Sequence, residues 1–366
     1  MKALFGKIIK STNRKTQFQY DAGTQAGSSG SPIILAKGHK IIGLHKGGSN
    51  TNNNNNKINI GVYLNNIIKL LPKSSNSENK NIIKCLYDIK SEDLNKDIKV
   101  YDNKFNFENN INSISVYKKD EMKKIIKDGK LRFNEEGKYF ISYNINNSTK
   151  DLRDLFLKCK TLKRVYLPSF GDIKIENMSN MFNLCTSLEK INFPPSFNTE
   201  NVTNMSNMFA FCESLENLNL TSFNTKNVID MSNMLNGCES LNNVNLSSFN
   251  TENVKVMDNM FNRCHKLRDI DLSSFNTKNV TDFSSMFYDC ISLRKLNLSS
   301  FNFKEALRME NMFINCISLV ELDLSSFEIK EDVKTNDMFF GCKLLKKINN
   351  CIDKKILKAF ESIKSN

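Results

Sequence analysis

The feature that most restricts how this chain can fold is a repeat of about 26 residues in its C-terminal half. Eight of the ten cysteines recur at intervals of 26 residues, except for one interval of 27 that coincides with an extra residue at Pro194-Pro195. A single unit of this length cannot bury its own apolar side, so the units must stack on one another. The repeating cysteines are Cys159, Cys185, Cys212, Cys238, Cys264, Cys290, Cys316 and Cys342.

Each unit has two apolar patterns. In residues 202–212, apolar side chains stand at i, i+3, i+6, i+7 and i+10, a spacing that predicts a short helix or helical turn. Residues 215–220 then read Leu-Glu-Asn-Leu-Asn-Leu, which predicts a short strand with its leucines inward and Asn219 outward. The fold class predicted is a leucine-rich-repeat solenoid of the α/β type, with about eight coils over residues 151–348. Residues 349–366 are predicted to cap its open end.

The units resemble those of the BspA-like leucine-rich-repeat family, as residues 272–293 illustrate with Leu-Ser-Ser-Phe-Asn-Thr-Lys-Asn-Val-Thr-Asp-Phe-Ser-Ser-Met-Phe-Tyr-Asp-Cys-Ile-Ser-Leu. Members of that family are often surface proteins implicated in adhesion, so the resemblance implies protein binding. The chain departs from the pattern at Phe303, Ala306 and Leu307, where Thr and Asn-Val are expected. A local irregularity is therefore expected in that coil.

The outward strand positions are the predicted interaction face, and a protein is the predicted partner. The competing interpretation is that these side chains form only a solvated polar surface, and the sequence leaves both open. The residues predicted to form the face are Arg164, Tyr166, Lys190, Arg268, Arg294 and Lys295.

The repeating cysteines suggest either metal or redox sites, or a buried ladder of small apolar side chains. The buried ladder is favoured because the chain has no Cys-x-x-Cys pair and only three histidines. No metal and no cofactor are predicted, and His265 is interpreted as a surface histidine.

A different motif lies near the N-terminus, where residues 27–32 read Gly-Ser-Ser-Gly-Ser-Pro. This segment resembles the nucleophile loop of trypsin-like serine peptidases, in which Ser29 would be the nucleophile and Gly27 part of the oxyanion hole. Residues 41–48 and 61–71 resemble later elements of the V8-like glutamyl branch. That resemblance implies that Thr24 and His45 select acidic residues of a polypeptide substrate.

The peptidase site is incomplete in this sequence. A nucleophilic serine needs a histidine base oriented by an aspartate, yet none of the 28 residues before Ser29 is a histidine. No peptidase activity is therefore expected from the chain as it stands. Two explanations remain open: the chain is a fragment of a longer serine endopeptidase targeted by its repeats, or residues 1–72 are an inactive remnant of the second barrel half.

Residues 73–150 are predicted to be a linker followed by a small β-rich module that caps the first coil. The net charge of +13 does not lie in the repeats, where 22 basic residues face 24 acidic ones over 151–348, so nucleic-acid binding is not expected. No apolar run approaches the roughly 18 residues of a membrane span. The regular cysteines and the absence of an N-terminal signal sequence favour the cytoplasm, with the cell surface or secretion as the alternative.

Overall fold

The computed structural model describes residues 81–118, 121–123, 128–325, 327–349 and 351–362, together with five strands in the N-terminal segment. The chain divides into two compact units, Met1–Asn79 and Lys80–Asn366. Each unit is considered by itself below.

The first unit contains one antiparallel sheet in the order β1-β2-β5-β4-β3. Its edge strands β1 and β3 do not pair with each other among the described strands, so the sheet is open. The predicted trypsin-like barrel half is therefore not found. The strands are β1 (Lys7–Ser11), β2 (Gln17–Asp21), β3 (Pro32–Ile34), β4 (Ile41–Ser49) and β5 (Ile58–Tyr63).

The second unit begins with an antiparallel sheet that runs directly into the repeats. Strand β6 pairs with β11 on one side and, also antiparallel, with β12 on the other, and β12 is the first strand of the repeats. The buried hydroxyls of Tyr87 and Tyr143 both donate to the carbonyl oxygen of Val100, at 2.8 and 2.6 Å. The elements are β6 (Ile82–Ile89), β7 (Asp97–Lys99), α1 (Phe107–Asn110), β8 (Ile111–Lys118), β9 (Glu121–Lys123), β10 (Lys130–Arg132), β11 (Gly137–Ile145) and β12 (Leu162–Tyr166).

The repeats form a β-solenoid of about seven turns, which confirms the stacking and the 26-residue period and lowers the predicted number of coils. A ladder of single parallel bridges joins successive turns through Asp151, Asn177, Asn204, Asp230, Val256, Asp282, Arg308 and Lys334. A second ladder consists of short parallel strands, and it is interrupted after β13 and after β15. These strands are β13 (Lys190–Asn192), β14 (Asn217–Asn219), β15 (Asn243–Asn245), β16 (Lys295–Asn297), β17 (Glu321–Asp323) and β18 (Lys347–Asn349).

Of the two alternatives predicted for each unit, a short helix or a helical turn, the helix is not found in the described repeats, and the α/β class is therefore wrong. Residues 205–212 instead form successive tight turns, within which Asn207 and Phe211 have positive φ of +54° and +57°. The amide of Met205 donates to the carbonyl of Asp230 in the next turn at 3.0 Å, and Phe209 donates likewise to Met234. A helix would satisfy these amides within its own segment. Here every second amide bonds the neighbouring turn, so this segment adds to the β-ladder.

Two columns of stacked rings fill the core. Phe182 and Phe209 lie 5.8 Å apart and nearly parallel, and Phe261 and Phe287 continue the same column at 5.4 Å. The predicted irregularity at residues 303–307 does not interrupt the solenoid, because the bridges on either side of Arg308 are present. Phe303 is buried and packs on Phe327 with 3.9 Å between the ring centroids.

Helix α2 (Lys354–Ser362) covers the last turn. Ile356 and Phe360 are its buried residues, and the Phe360 ring meets Phe339 edge-on at 6.1 Å. The apolar side of α2 thereby takes the place that a further turn would occupy.

Candidate interaction surface

The strand ladder presents one face of side chains to solvent, because residues alternate in and out along each strand. Five of the six residues predicted to form this face are exposed, and Tyr166 is half-buried. Arg164 pairs with Lys190 in the register of β12 and β13, and Lys295 pairs with Glu321 in that of β16 and β17. The exposed five are Arg164, Lys190, Arg268, Arg294 and Lys295.

Charges on this face are partly neutralised between neighbouring turns. Lys163 lies 3.1 Å and Arg164 4.0 Å from Glu189, while Lys295 lies 2.8 Å from Glu321. In the part of the chain that the structure describes, Arg268 and Arg294 have no such ion pair. Their backbones are hydrogen-bonded, with the Arg294 amide donating to the Arg268 carbonyl at 3.2 Å, so the two guanidinium groups belong to adjacent turns.

These arginines flank the second interruption of the strand ladder. Residues 269–271 form no strand, although β15 precedes them and β16 follows in the next turn. Asp271 faces outward there, and hydrogen bonds from the hydroxyl and amide of Ser273 lower the pKa of its carboxyl group. The middle of the face therefore combines two arginines without ion pairs and two exposed aspartates.

The asparagines at the end of each strand have a structural role that the sequence analysis missed. The side-chain oxygen of Asn219 accepts hydrogen bonds from the amide and hydroxyl of Thr221, at 3.1 and 2.8 Å. Asn245 and Asn297 accept from the amides two residues on in the same way. Such Asx turns let an asparagine side chain close the chain reversal after a strand. The Asn-x-Ser/Thr spacing was the available signal.

A ladder of buried threonines also escaped the sequence analysis. Thr251 donates its hydroxyl to the carbonyl of Asn276 at 3.0 Å and accepts from the amide of Asn276 at 2.8 Å. The same double link joins each threonine of this column to the following turn, and the column consists of Thr199, Thr225, Thr251 and Thr277.

The cysteine ladder lies in the core. Cys185 donates its thiol to the carbonyl of Phe156 in the preceding turn at 3.0 Å, and Cys238 does the same to Phe209 at 3.2 Å. Burial raises the pKa of the Cys238 thiol to about 12, so at neutral pH it is a neutral hydrogen-bond donor. All ten cysteines are free.

His265 is half-buried between two carboxylates: its Nε2 lies 3.1 Å from Asp289, and its Nδ1 lies 3.8 Å from Glu239. Glu239 also pairs with Arg263 at 3.3 Å. Among the described residues, no three His, Cys, Asp or Glu side chains are arranged to hold a metal ion. The contacts of His265 link side chains of adjacent turns, and the Arg263–Glu239 ion pair lies beside them.

The residues predicted for a peptidase site fall almost entirely outside the described part of the chain. Thr24, Gly27 and Ser29 lie outside the described residues, and of His45 only its backbone in β4 is described.

Three depressions lie on the described part of the second unit, the smallest of them a hollow of about 180 Å³ beside Phe193, Pro195 and Asn219. A cleft of about 660 Å³ lies between α1 and the first turn and is lined by charged and amide side chains, among them Lys104, Arg153 and Asp154. A shallow groove of about 540 Å³ runs beside the bridge ladder, past Asn227, Ile229 and Asn253. None of the described helices is long and apolar enough to cross a membrane.

Comparison with known proteins gives one family. Its description is "Mycoplasma protein of unknown function, DUF285", and it matches three overlapping stretches, residues 77–191, 150–269 and 241–353. No curated protein matches the chain, and no solved structure does. Neither a BspA-like leucine-rich-repeat family nor a trypsin-like peptidase family is found, so both resemblances drawn from the sequence are wrong.

The geometry explains why the resemblance to leucine-rich repeats was wrong. The shared apolar columns require stacked turns, but they do not distinguish turns that contain a helix from turns built of tight reversals. The first matched stretch also begins before the repeats, at residue 77, and takes in the antiparallel sheet that joins β12. Since the matches together span about three quarters of the sequence, the chain belongs to the DUF285 family of Mycoplasma repeat proteins.

Proposed function

We propose that this protein is a binding scaffold whose solenoid holds a protein partner on the outward face of its strand ladder. The observation that carries the proposal is the pair Arg268 and Arg294, two exposed guanidinium groups on adjacent turns without an ion pair among the described residues. Arginine is enriched at the energetic centres of protein interfaces, where its planar group binds carboxylates through two hydrogen bonds. An acidic segment of the partner would fit this pair.

The rigid spacing of the turns supports the same proposal. Adjacent strands of a sheet lie about 4.8 Å apart, so side chains at one strand position form a straight row. Salt bridges such as Lys295–Glu321 fix neighbouring charges along that row. A surface ordered before binding loses less conformational entropy when a partner is held.

The test is a double charge reversal, Arg268→Glu with Arg294→Glu, in the full chain. Proteins cross-linked to the immobilised wild-type chain would be compared with those cross-linked to the variant. Lys255→Glu with Lys334→Glu is the matched control, because both lysines are exposed, have no ion pair among the described residues and lie away from the short strands. Close charge pairs contribute about 2–5 kcal/mol at interfaces, so partner capture by the variant should fall at least tenfold while the control retains it. Equal capture by all three chains would refute the interface.

A further inference from the structure

The corner between the tight turns and the strands changes character along the solenoid. Four positions form this corner, located two residues before the cysteine and one, two and four residues after it. In the third turn they are Ala210, Glu213, Ser214 and Glu216, of which Ala210 is buried and the others are polar or acidic. Basic residues already occur at these positions in the first turn (Lys160 and Lys163) and in the fifth (His265, Lys266 and Arg268). In the last two turns the same positions are occupied by Ile314, Ile317, Ser318 and Val320, and then by Phe340, Lys343, Leu344 and Lys346.

The apolar side chains of this corner are in contact with solvent. Phe340 is 59% exposed, Leu344 48%, Val320 45% and Ile317 38%. The preceding members of the Phe340 column, Tyr288 and Ile314, are only half-exposed because a following turn lies over them. Helix α2 covers Phe339 at the end of the solenoid but leaves Phe340 open.

These residues form one patch, which we call the C-terminal corner: Ile317, Val320, Phe340, Lys343, Leu344 and Lys346. The amide of Asn315, two residues before Ile317, donates to the Phe340 carbonyl at 2.8 Å. Glu321 pairs with Lys347 in the register of β17 and β18, which places Val320 beside Lys346 one strand spacing away. Apolar and basic side chains therefore alternate on a single protruding edge.

The C-terminal end of the described chain, which includes Lys343 and Lys346 of the corner, is basic. From residue 341 to the end of α2 there are six lysines and two acidic residues, whereas the repeats as a whole are slightly acidic. Neither Lys343 nor Lys346 has an ion pair among the described residues. Two copies docked corner to corner would oppose these lysines, and like charges across an interface are strongly unfavourable. A second copy is therefore a poor occupant.

We propose that the C-terminal corner docks on the surface of an anionic lipid bilayer. Lysine beside protruding Phe, Leu, Ile and Val is the composition that binds this surface, since the apolar groups enter the headgroup boundary and the ammonium groups attract anionic lipids. A protein partner fits less well, because protein interfaces are depleted in lysine. The proposal does not rest on the proposed function, although Val320 and Lys346 continue the repeat position of Arg268 and Arg294.

The experiment is sedimentation of the purified full chain with vesicles. Vesicles of phosphatidylcholine with about one third phosphatidylglycerol are compared with vesicles of phosphatidylcholine alone. The expected result is binding to the anionic vesicles that weakens as salt is added, with little binding to the neutral ones. Each lysine near an anionic surface contributes about fivefold in affinity, so Lys343→Glu with Lys346→Glu should weaken binding by more than 25-fold.

A second variant tests the apolar half of the patch. Phe340→Ser with Leu344→Ser should also reduce vesicle binding at least tenfold. The controls are Ile229→Ser and Lys255→Glu, an exposed apolar residue and an exposed lysine on the groove side of the solenoid, which should bind as the wild type does. The proposal is overturned if anionic vesicles bind no better than neutral ones, or if corner and control variants bind equally. It is also overturned if the wild type sediments as a dimer that Leu344→Ser dissociates, or if the corner variants lose a cross-linked acidic protein while vesicle binding is unchanged.

Discussion

Replacing Thr251 by valine is the sharpest test of how adjacent turns are held together. Thr251 is buried, and its hydroxyl both donates to and accepts from the backbone of Asn276 in the next turn, at 3.0 and 2.8 Å. Valine keeps the branched shape and removes both hydrogen bonds. The carbonyl and the amide of Asn276 then lose their partner in the neighbouring turn.

The expected loss of stability follows from these two bonds. Each of the two hydrogen bonds contributes about 1 kcal/mol net, and Asn276 itself is exposed, so water can replace part of what its backbone groups lose. The substitution should therefore lower the free energy of unfolding by about 2 kcal/mol. A repeat array can unfold in parts, so a single global value is not enough to detect a local effect.

Hydrogen exchange of the Asn276 amide is the appropriate assay, because that amide donates directly to the Thr251 hydroxyl. A local loss of 2 kcal/mol corresponds to exchange about 30-fold faster. Thr221→Val is the control, since Thr221 is exposed and its hydroxyl bonds only the side chain of Asn219 in its own turn. If Thr251→Val leaves Asn276 exchange unchanged, or if both variants have equal effects, the hydroxyl ladder does not hold the turns together.

Three further outcomes are expected. Phe209→Ala removes a fully buried ring from the stacked column and should lower the free energy of unfolding by about 3–5 kcal/mol, measured by urea denaturation. Gly237→Ala should lower the melting temperature more than Gly171→Ala. Both glycines have positive φ, but only at Gly237 would the added methyl group meet a ring, that of Phe211, at 2.5 Å. Burial raises the pKa of the Cys238 thiol to about 12, whereas in the unfolded chain it is about 8.5. The contribution of the neutral thiol to the free energy of unfolding is therefore fully present below pH of about 8.5 and is lost as the pH rises towards 12. Across that pH range, the melting temperature of Cys238→Ala should fall less than that of the wild type. In a separate labelling experiment at pH 8, an aromatic disulfide reagent should react with the half-buried Cys351 before it reacts with the buried thiols of the repeats.

The columns that depend on burial could be predicted from the sequence. A position that recurs every 26 residues as Cys, Phe or Leu must meet its equivalents in neighbouring turns, and all eight repeating cysteines are buried. The inward leucines of the strands were predicted for the same reason, and Leu218 and Leu296 are buried in β14 and β16. Periodic burial is a property of the side chains alone, so the sequence is enough to find it.

The path of the backbone between those columns could not be predicted in the same way. An apolar spacing of three and four residues is produced by a helix, and equally by two tight turns that return the chain to the same side. The distinguishing signal is the residue that takes positive φ: Asn180, Asn207, Asn233 and Asn259 occupy it in successive turns. Asparagine tolerates this conformation far better than most residues. A column of asparagines inside an apolar helical pattern is therefore evidence for turns, because asparagine is a poor residue for a helix interior.

The exposed columns carry different information, because packing does not determine them. Buried positions must repeat wherever the solenoid continues, so their regularity says nothing about what the protein binds. An exposed column is free to vary from turn to turn, and several exposed columns that change together require a cause outside the fold. They do so at the C-terminal corner, where Ile317, Val320 and Leu344 are exposed at positions that hold polar or charged residues in the first five turns. Substitutions at these exposed positions should alter binding while leaving the stability of the solenoid unchanged. In a family whose function is unknown, they are therefore the most informative positions to change.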